Sequence, residues 1–142
     1  MLTGPEGSSF GFSLTSLGDA NIDEYGDFCV GAPHRKMANG QNSGAVYMFN
    51  GQKKWSKSAT QIITADDIAQ NADQSVSTQR KIRNFGISMK GNVDLDDDGH
   101  PDLIIGAKDL AVIVRARPII SITSQIDILG KTIDHYSTLR VV

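Results

Sequence analysis

Nine consecutive residues, Asp94-Leu95-Asp96-Asp97-Asp98-Gly99-His100-Pro101-Asp102, put carboxylates at positions 1, 3, 5 and 9 of a segment with glycine at position 6. If Gly99 turns the backbone sharply, the four acids meet at one point. Hard oxygen donors gathered in one place call for a cation, since unscreened carboxylates repel one another. Ca²⁺ suits them because it takes six to eight oxygens at flexible geometry. A backbone carbonyl at position 7, here His100, and water would complete the shell.

The elements flanking this loop are strands, not helices. A helix-loop-helix calcium motif needs a glutamate at position 12, and position 12 here is Ile105, inside the apolar run Leu103-Ile104-Ile105-Gly106-Ala107. Ahead of the loop, Phe85-Gly86-Ile87-Ser88-Met89-Lys90 alternates apolar and polar residues, the period of a β-strand.

The pattern occurs twice. Phe10-Gly11-Phe12-Ser13-Leu14-Thr15 alternates in the same way and leads into Asp19, Asn21, Asp23 and Asp27, again positions 1, 3, 5 and 9. The run Phe28-Cys29-Val30-Gly31-Ala32-Pro33 follows. Phe10 to Phe85, Asp19 to Asp94, Asp27 to Asp102 and Gly31 to Gly106 are each separated by 75 residues. A shared offset at four landmarks marks an internal repeat. The first loop has Glu24 at position 6, where a left-handed backbone costs a non-glycine residue about 1–2 kcal/mol. Weaker calcium binding is therefore expected there than in the second loop, with Gly26 available to absorb part of the turn.

Further strands are expected at Gly44-Ala45-Val46-Tyr47-Met48-Phe49 and Thr60-Gln61-Ile62-Ile63-Thr64, giving about four short strands per unit. Residues 66–84 read as a solvated excursion, and Trp55 as a partly buried strand residue. Repeated antiparallel four-stranded units are the blades of a β-propeller. Packing between blades would cover both faces of an inner strand, which accounts for Leu103-Ile104-Ile105 not alternating. Two blades cannot close a ring, so the chain is expected to be a piece of a larger domain. The expected class is all-β, a partial β-propeller of about two blades.

At 142 residues there is room for one ordinary domain. A net charge of -2 favours neither nucleic acid nor an anionic membrane as partner. The longest apolar stretch, from Leu110 to Ile122, is broken by Arg115 and Arg117 and falls short of the roughly 18 residues of a membrane span. The start, Met1-Leu2-Thr3-Gly4-Pro5, does not read as a secretory signal. The single Cys29 lies in an apolar run and reads as a buried strand thiol.

The twofold Phe-Gly, acidic loop and Gly-Ala pattern, followed by Val114-Arg115-Ala116-Arg117-Pro118-Ile119, resembles an integrin alpha subunit and its FG-GAP repeats. The resemblance implies that residues 1–117 are the last two blades of a seven-bladed extracellular propeller. Residues 8–64 would be the first repeat, 65–84 a connecting loop and 85–117 the second repeat. Residues 118–142 would be the start of an immunoglobulin-like thigh domain, its first strand read from the alternation Ile120-Ser121-Ile122-Thr123, or a disordered tail. The implied metal ligands are Asp19, Asn21, Asp23 and Asp27 with the Tyr25 carbonyl, and Asp94, Asp96, Asp98 and Asp102 with the His100 carbonyl. The implied cofactor is Ca²⁺ at two sites.

The same resemblance implies a single-pass adhesion receptor on the extracellular side of the cell membrane. Its partners would be an integrin beta subunit and a matrix or cell-surface protein ligand, with neither nucleic acid nor membrane insertion involved for this segment. An FG-GAP module of another extracellular protein is the alternative, and a secreted phospholipase or glycan-active enzyme a remoter one. No catalytic residue is expected: His34, His100 and His135 sit in unrelated contexts, no Gly-x-Ser-x-Gly elbow occurs, and the loop carboxylates are committed to metal.

Overall fold

A computed structural model describes residues 1–36, 40, 43–54, 56–71, 82–116, 123–128 and 131–136. Trp55, residues 72–81 of the expected excursion and the Ile120-Ser121-Ile122 part of the expected thigh strand lie outside that set. Four strands, β1 (Ser13–Gly18), β2 (Asp27–Ala32), β3 (Ala45–Phe49) and β4 (Gln61–Thr64), hydrogen-bond in chain order as one antiparallel sheet. A second antiparallel sheet contains β5 (Ser88–Val93), β6 (Asp102–Ala107) and β7 (Leu110–Val114). β1 and β5, like β2 and β6, start and end 75 residues apart. The repeat in the sequence is thus a repeat in the backbone.

Alternation gives each inner strand two distinct faces. Cys29 of β2 and Val46 of β3, with Leu17, Ile63 and Ala65, face the second sheet and form one core with its Phe85, Leu103 and Ile105. On the other face Val30, Ala32, Ala45, Tyr47 and Phe49 form a second core, covered by Leu2 and Phe10. Phe10 meets the Tyr47 ring edge-on, with centroids 5.1 Å apart. Phe85 is fully buried between the sheets, where an aromatic side chain contributes about 2–3 kcal/mol through lost water contact.

The Phe-Gly pairs form corners, which corrects the expectation that strands begin at Phe10 and Phe85. β1 and β5 start three residues later, because Gly11 (φ +92°) and Gly86 (φ +86°) turn the chain and send the phenylalanines into the cores. Gly86 also lets the sheets approach. A Cβ on it would lie 2.9 Å from the Ala45 carbonyl oxygen, and one on Gly31 would collide with the Gly86 carbonyl. Polar bonds close the seam: Phe85 N–H donates to Ser43 O at 2.9 Å, Ser13 Oγ to Gly86 O at 2.6 Å, and Gly91 N–H to Thr15 Oγ1 at 2.9 Å.

Two further differences from expectation are local. Residues Ala65–Asn71 form a helix, α1, inside the segment expected to be a solvated loop. Thr64 and Asp67 cap it reciprocally: Asp67 N–H donates to Thr64 Oγ1 at 3.2 Å, and Thr64 N–H to Asp67 Oδ2 at 2.8 Å. In β6, Leu103 and Ile105 are buried but Ile104 only partly so, and its cross-strand neighbour Ile113 is 55% exposed. The covering expected on both faces of that strand is therefore present on one. After the second sheet in chain order, β8 (Thr123–Ile128) pairs antiparallel with β9 (Lys131–Tyr136); of the strand expected over Ile120-Ser121-Ile122-Thr123, all but Thr123 lies outside the described residues. Among the described residues, no helix is long and apolar enough to cross a membrane.

Candidate metal centre

Each acidic segment connects the first two strands of its sheet, so the strand ends fix where the loop starts and stops. Within both loops the carboxylates first organise the backbone. Asp94 accepts the Asp98 and Gly99 N–H groups at 3.2 and 2.9 Å, and Asp98 accepts the His100 N–H at 2.8 Å. Asp19 accepts the Asp23 and Glu24 N–H groups at 3.0 and 2.8 Å, and Asp23 accepts the Tyr25 N–H at 3.0 Å. The two networks superpose residue for residue at the 75-residue offset.

The left-handed positions also correspond. Position 4 is left-handed in both loops (Ile22, φ +56°; Asp97, φ +58°), and so is position 6 (Glu24, φ +71°; Gly99, φ +84°). Glu24 carries the turn itself, and Gly26 is not among the left-handed glycines. Ile22 adds to the strain, because a β-branched side chain is poorly accommodated in that region.

The acids at position 9 have a second task. Both are buried, at 3% exposure for Asp27 and 1% for Asp102. Asp102 accepts Leu95 N–H at 3.1 Å through Oδ2 and Ala116 N–H at 3.0 Å through Oδ1. Asp27 accepts Ala20 N–H at 3.0 Å and Gly51 N–H at 2.8 Å in the same way. Each therefore ties the start of its loop to the chain leaving the third strand of its sheet. Burial pushes the Asp27 carboxyl up from its ordinary pKa, opposed by the amides of Gly51 and Ala20 and reinforced by the charges of Asp23 and Asp19. Burial, with Asp27 nearby, pushes the Cys29 thiol up to about 12, so this cysteine is an inert core residue.

In the second loop Asp94, Asp96 and Asp102 bring carboxylate oxygens within 4.8 Å of one another. Asp98 stands outside that trio, bonded to the His100 amide. Asp97, at position 4, is exposed. Among the described residues no matching trio of acids forms in the first loop, whose position 3 is the neutral Asn21. Its Nδ2 donates to Asp23 Oδ2 at 2.8 Å, while its Oδ1 is buried without a hydrogen-bond partner. An orphaned oxygen of this kind costs about 1–3 kcal/mol. Placed among carboxylates, it fits a hard cation. Both donor sets are oxygen-only, the chemistry that Ca²⁺ prefers.

Three groups at the centre carry no motif signal. The N–H groups of Gly51 and Ala116 serve the position-9 acids, and Arg115 Nη1 lies 2.9 Å from Asp96 Oδ2. The histidines are dispersed: His34 pairs with Ser9 at 2.8 Å, His100 lies in the second loop, and the side chain of His135 is outside the described residues.

Antiparallel units packed sheet on sheet, each with an oxygen-lined loop at its first strand reversal, define the chain as a segment of a β-propeller of the acidic-loop repeat class. No family model matches the chain. It is 33% identical over 119 residues to integrin alpha-E of Mus musculus, 36% over 125 residues to integrin alpha ina-1 of Caenorhabditis elegans, and 32% over 135 residues to integrin alpha-7 of Homo sapiens. These matches cover 82%, 83% and 94% of this chain. The chain spans about a tenth of those relatives, 9%, 10% and 10% of their respective lengths. It belongs to the integrin alpha family.

Proposed function

We propose that this chain is the calcium-braced end of an integrin alpha propeller, serving an adhesion receptor on the extracellular side of the cell membrane. The receptor pairs with an integrin beta subunit and binds matrix or cell-surface protein ligands. The observation that carries this reading is the duplicated strand-loop-strand unit within a chain whose relatives are integrin alpha subunits. Two loops hold the metal: Asp19, Asn21, Asp23 and Asp27 with the Tyr25 carbonyl, and Asp94, Asp96, Asp98 and Asp102 with the His100 carbonyl. Bound there, Ca²⁺ supplies positive charge to carboxylates that would otherwise repel one another.

The chain's own residues do the rest. Asp27 and Asp102 couple each loop to the end of a third strand, so stiffening the loop stiffens the blade. Phe85 and the Gly31–Gly86 approach transmit that rigidity from one sheet to the next. The segment acts as a scaffold that holds the receptor head in shape.

The test is a full-length integrin alpha subunit in which residues 8–117 of this chain replace the matching segment, expressed with its beta subunit. Surface delivery of the heterodimer and calcium-dependent adhesion are expected. Intracellular retention without beta-subunit pairing, while the purified segment binds calcium and folds, would overturn the receptor role.

A further inference from the structure

The two loops differ in charge at one ligand position, and a nearby residue differs with it. Position 3 is Asp96 in the second loop and Asn21 in the first, so the second has four acidic ligands where the first has three. Each loop carries one further non-ligand acid, Asp97 or Glu24, so the imbalance remains one charge. The residue that leaves the third strand beside each position-9 acid also changes. The N–H groups of Gly51 and Ala116 reach Asp27 Oδ1 and Asp102 Oδ1 at 2.8 and 3.0 Å, which makes the preceding residues, Asn50 and Arg115, structural equivalents. Where the ligand is neutral, that residue is neutral. Where the ligand is an acid, the residue is Arg115, with Nη1 2.9 Å from Asp96 Oδ2.

From this correspondence we infer that Arg115 is a resident counter-charge of the second metal loop, setting its calcium affinity down toward that of the first. The inference rests on the calcium reading of the two loops. Arg115 is 67% exposed, so as a surface ion pair it adds little to stability. Its effect falls on the cation. A dication beside a fixed guanidinium meets a repulsion twice that between unit charges, and in water-like dielectric this lowers affinity by about tenfold. Asp96 keeps its second carboxylate oxygen for the metal. With Arg115 present both loops offer the ion the same net ligand charge, which leaves the backbone strain at Ile22 and Glu24 as the difference between them.

Calcium titration followed by NMR reads the loops separately, through the Glu24 amide in the first and the Gly99 amide in the second. Arg115→Gln is expected to tighten the second loop about tenfold at low salt. That gain should shrink in concentrated salt, as screened charge requires, and the first loop should be unaffected. Arg115→Lys, which keeps the charge, should stay near the parent value. Asn50→Arg, which transplants the charge, should weaken the first loop alone. Unchanged or weakened second-loop affinity in Arg115→Gln, in a protein whose amides do respond to calcium, overturns the counter-charge. No calcium response at either amide in the parent protein overturns the metal reading itself, and Arg115's role with it.

Discussion

Glu24 holds a left-handed backbone, φ +71°, at the loop position where Gly99 holds φ +84°. The same turn is thus made twice, once by a residue suited to it and once by one that is strained. Glu24→Gly should raise thermal stability without calcium by about 1 kcal/mol and tighten calcium binding in the first loop. Ile22→Asn, which relieves the other left-handed position, should act in the same direction. Melting curves and a loop-resolved titration check both. If neither variant changes stability, strain does not distinguish the loops.

Asp98 and Asp102 are both assigned to the metal, yet their settings separate their roles. Asp98 is exposed and accepts one loop amide, whereas Asp102 is buried and accepts the amides of Leu95 and Ala116. Asp98→Ala should lower the melting temperature in calcium and have little effect in its absence. Asp102→Ala should destabilise by about 2–4 kcal/mol under both conditions, since two part-buried N–H groups lose a charged acceptor. Equal losses for Asp98→Ala with and without calcium would argue against its role as a ligand.

The cap of α1 gives a pH signature. The Thr64 hydroxyl and amide donate to Asp67 and hold its carboxyl below the ordinary carboxylate pKa. A depressed acid stabilises the fold above its unfolded pKa, about 3.9, and that contribution is lost as pH falls toward the folded value. Thr64→Ala should cost about 1 kcal/mol at neutral pH. The cost should fade as pH falls from about 3.9 toward the lower folded pKa, where the capping carboxylate takes up its proton. Urea melts of both proteins across that range provide the check.

The repeat, the strand-flanked loops and the position-9 acids were legible in the sequence because they depend on residue type at fixed spacing. The Phe-Gly corners were not. Phe10-Gly11-Phe12-Ser13 alternates like a strand, and the positive φ of Gly11 that breaks it leaves no mark in an alternation pattern. Helix α1 has seven residues, too few to show a helical period, although its cap was written in Thr64 and Asp67. Arg115 lies 19 residues beyond Asp96, and the two meet because β7 brings the chain back beside the loop. Contacts between elements depend on topology, which residue spacing alone does not supply.

Calorimetric titration of the chain with calcium, paired with melting curves before and after, decides whether the two strand reversals hold cations. Two ions bound per chain and a rise in melting temperature are expected, with one ion lost on replacing Asp19 and the other on replacing Asp94. No binding heat and an unmoved melting temperature would mean that neither loop binds calcium.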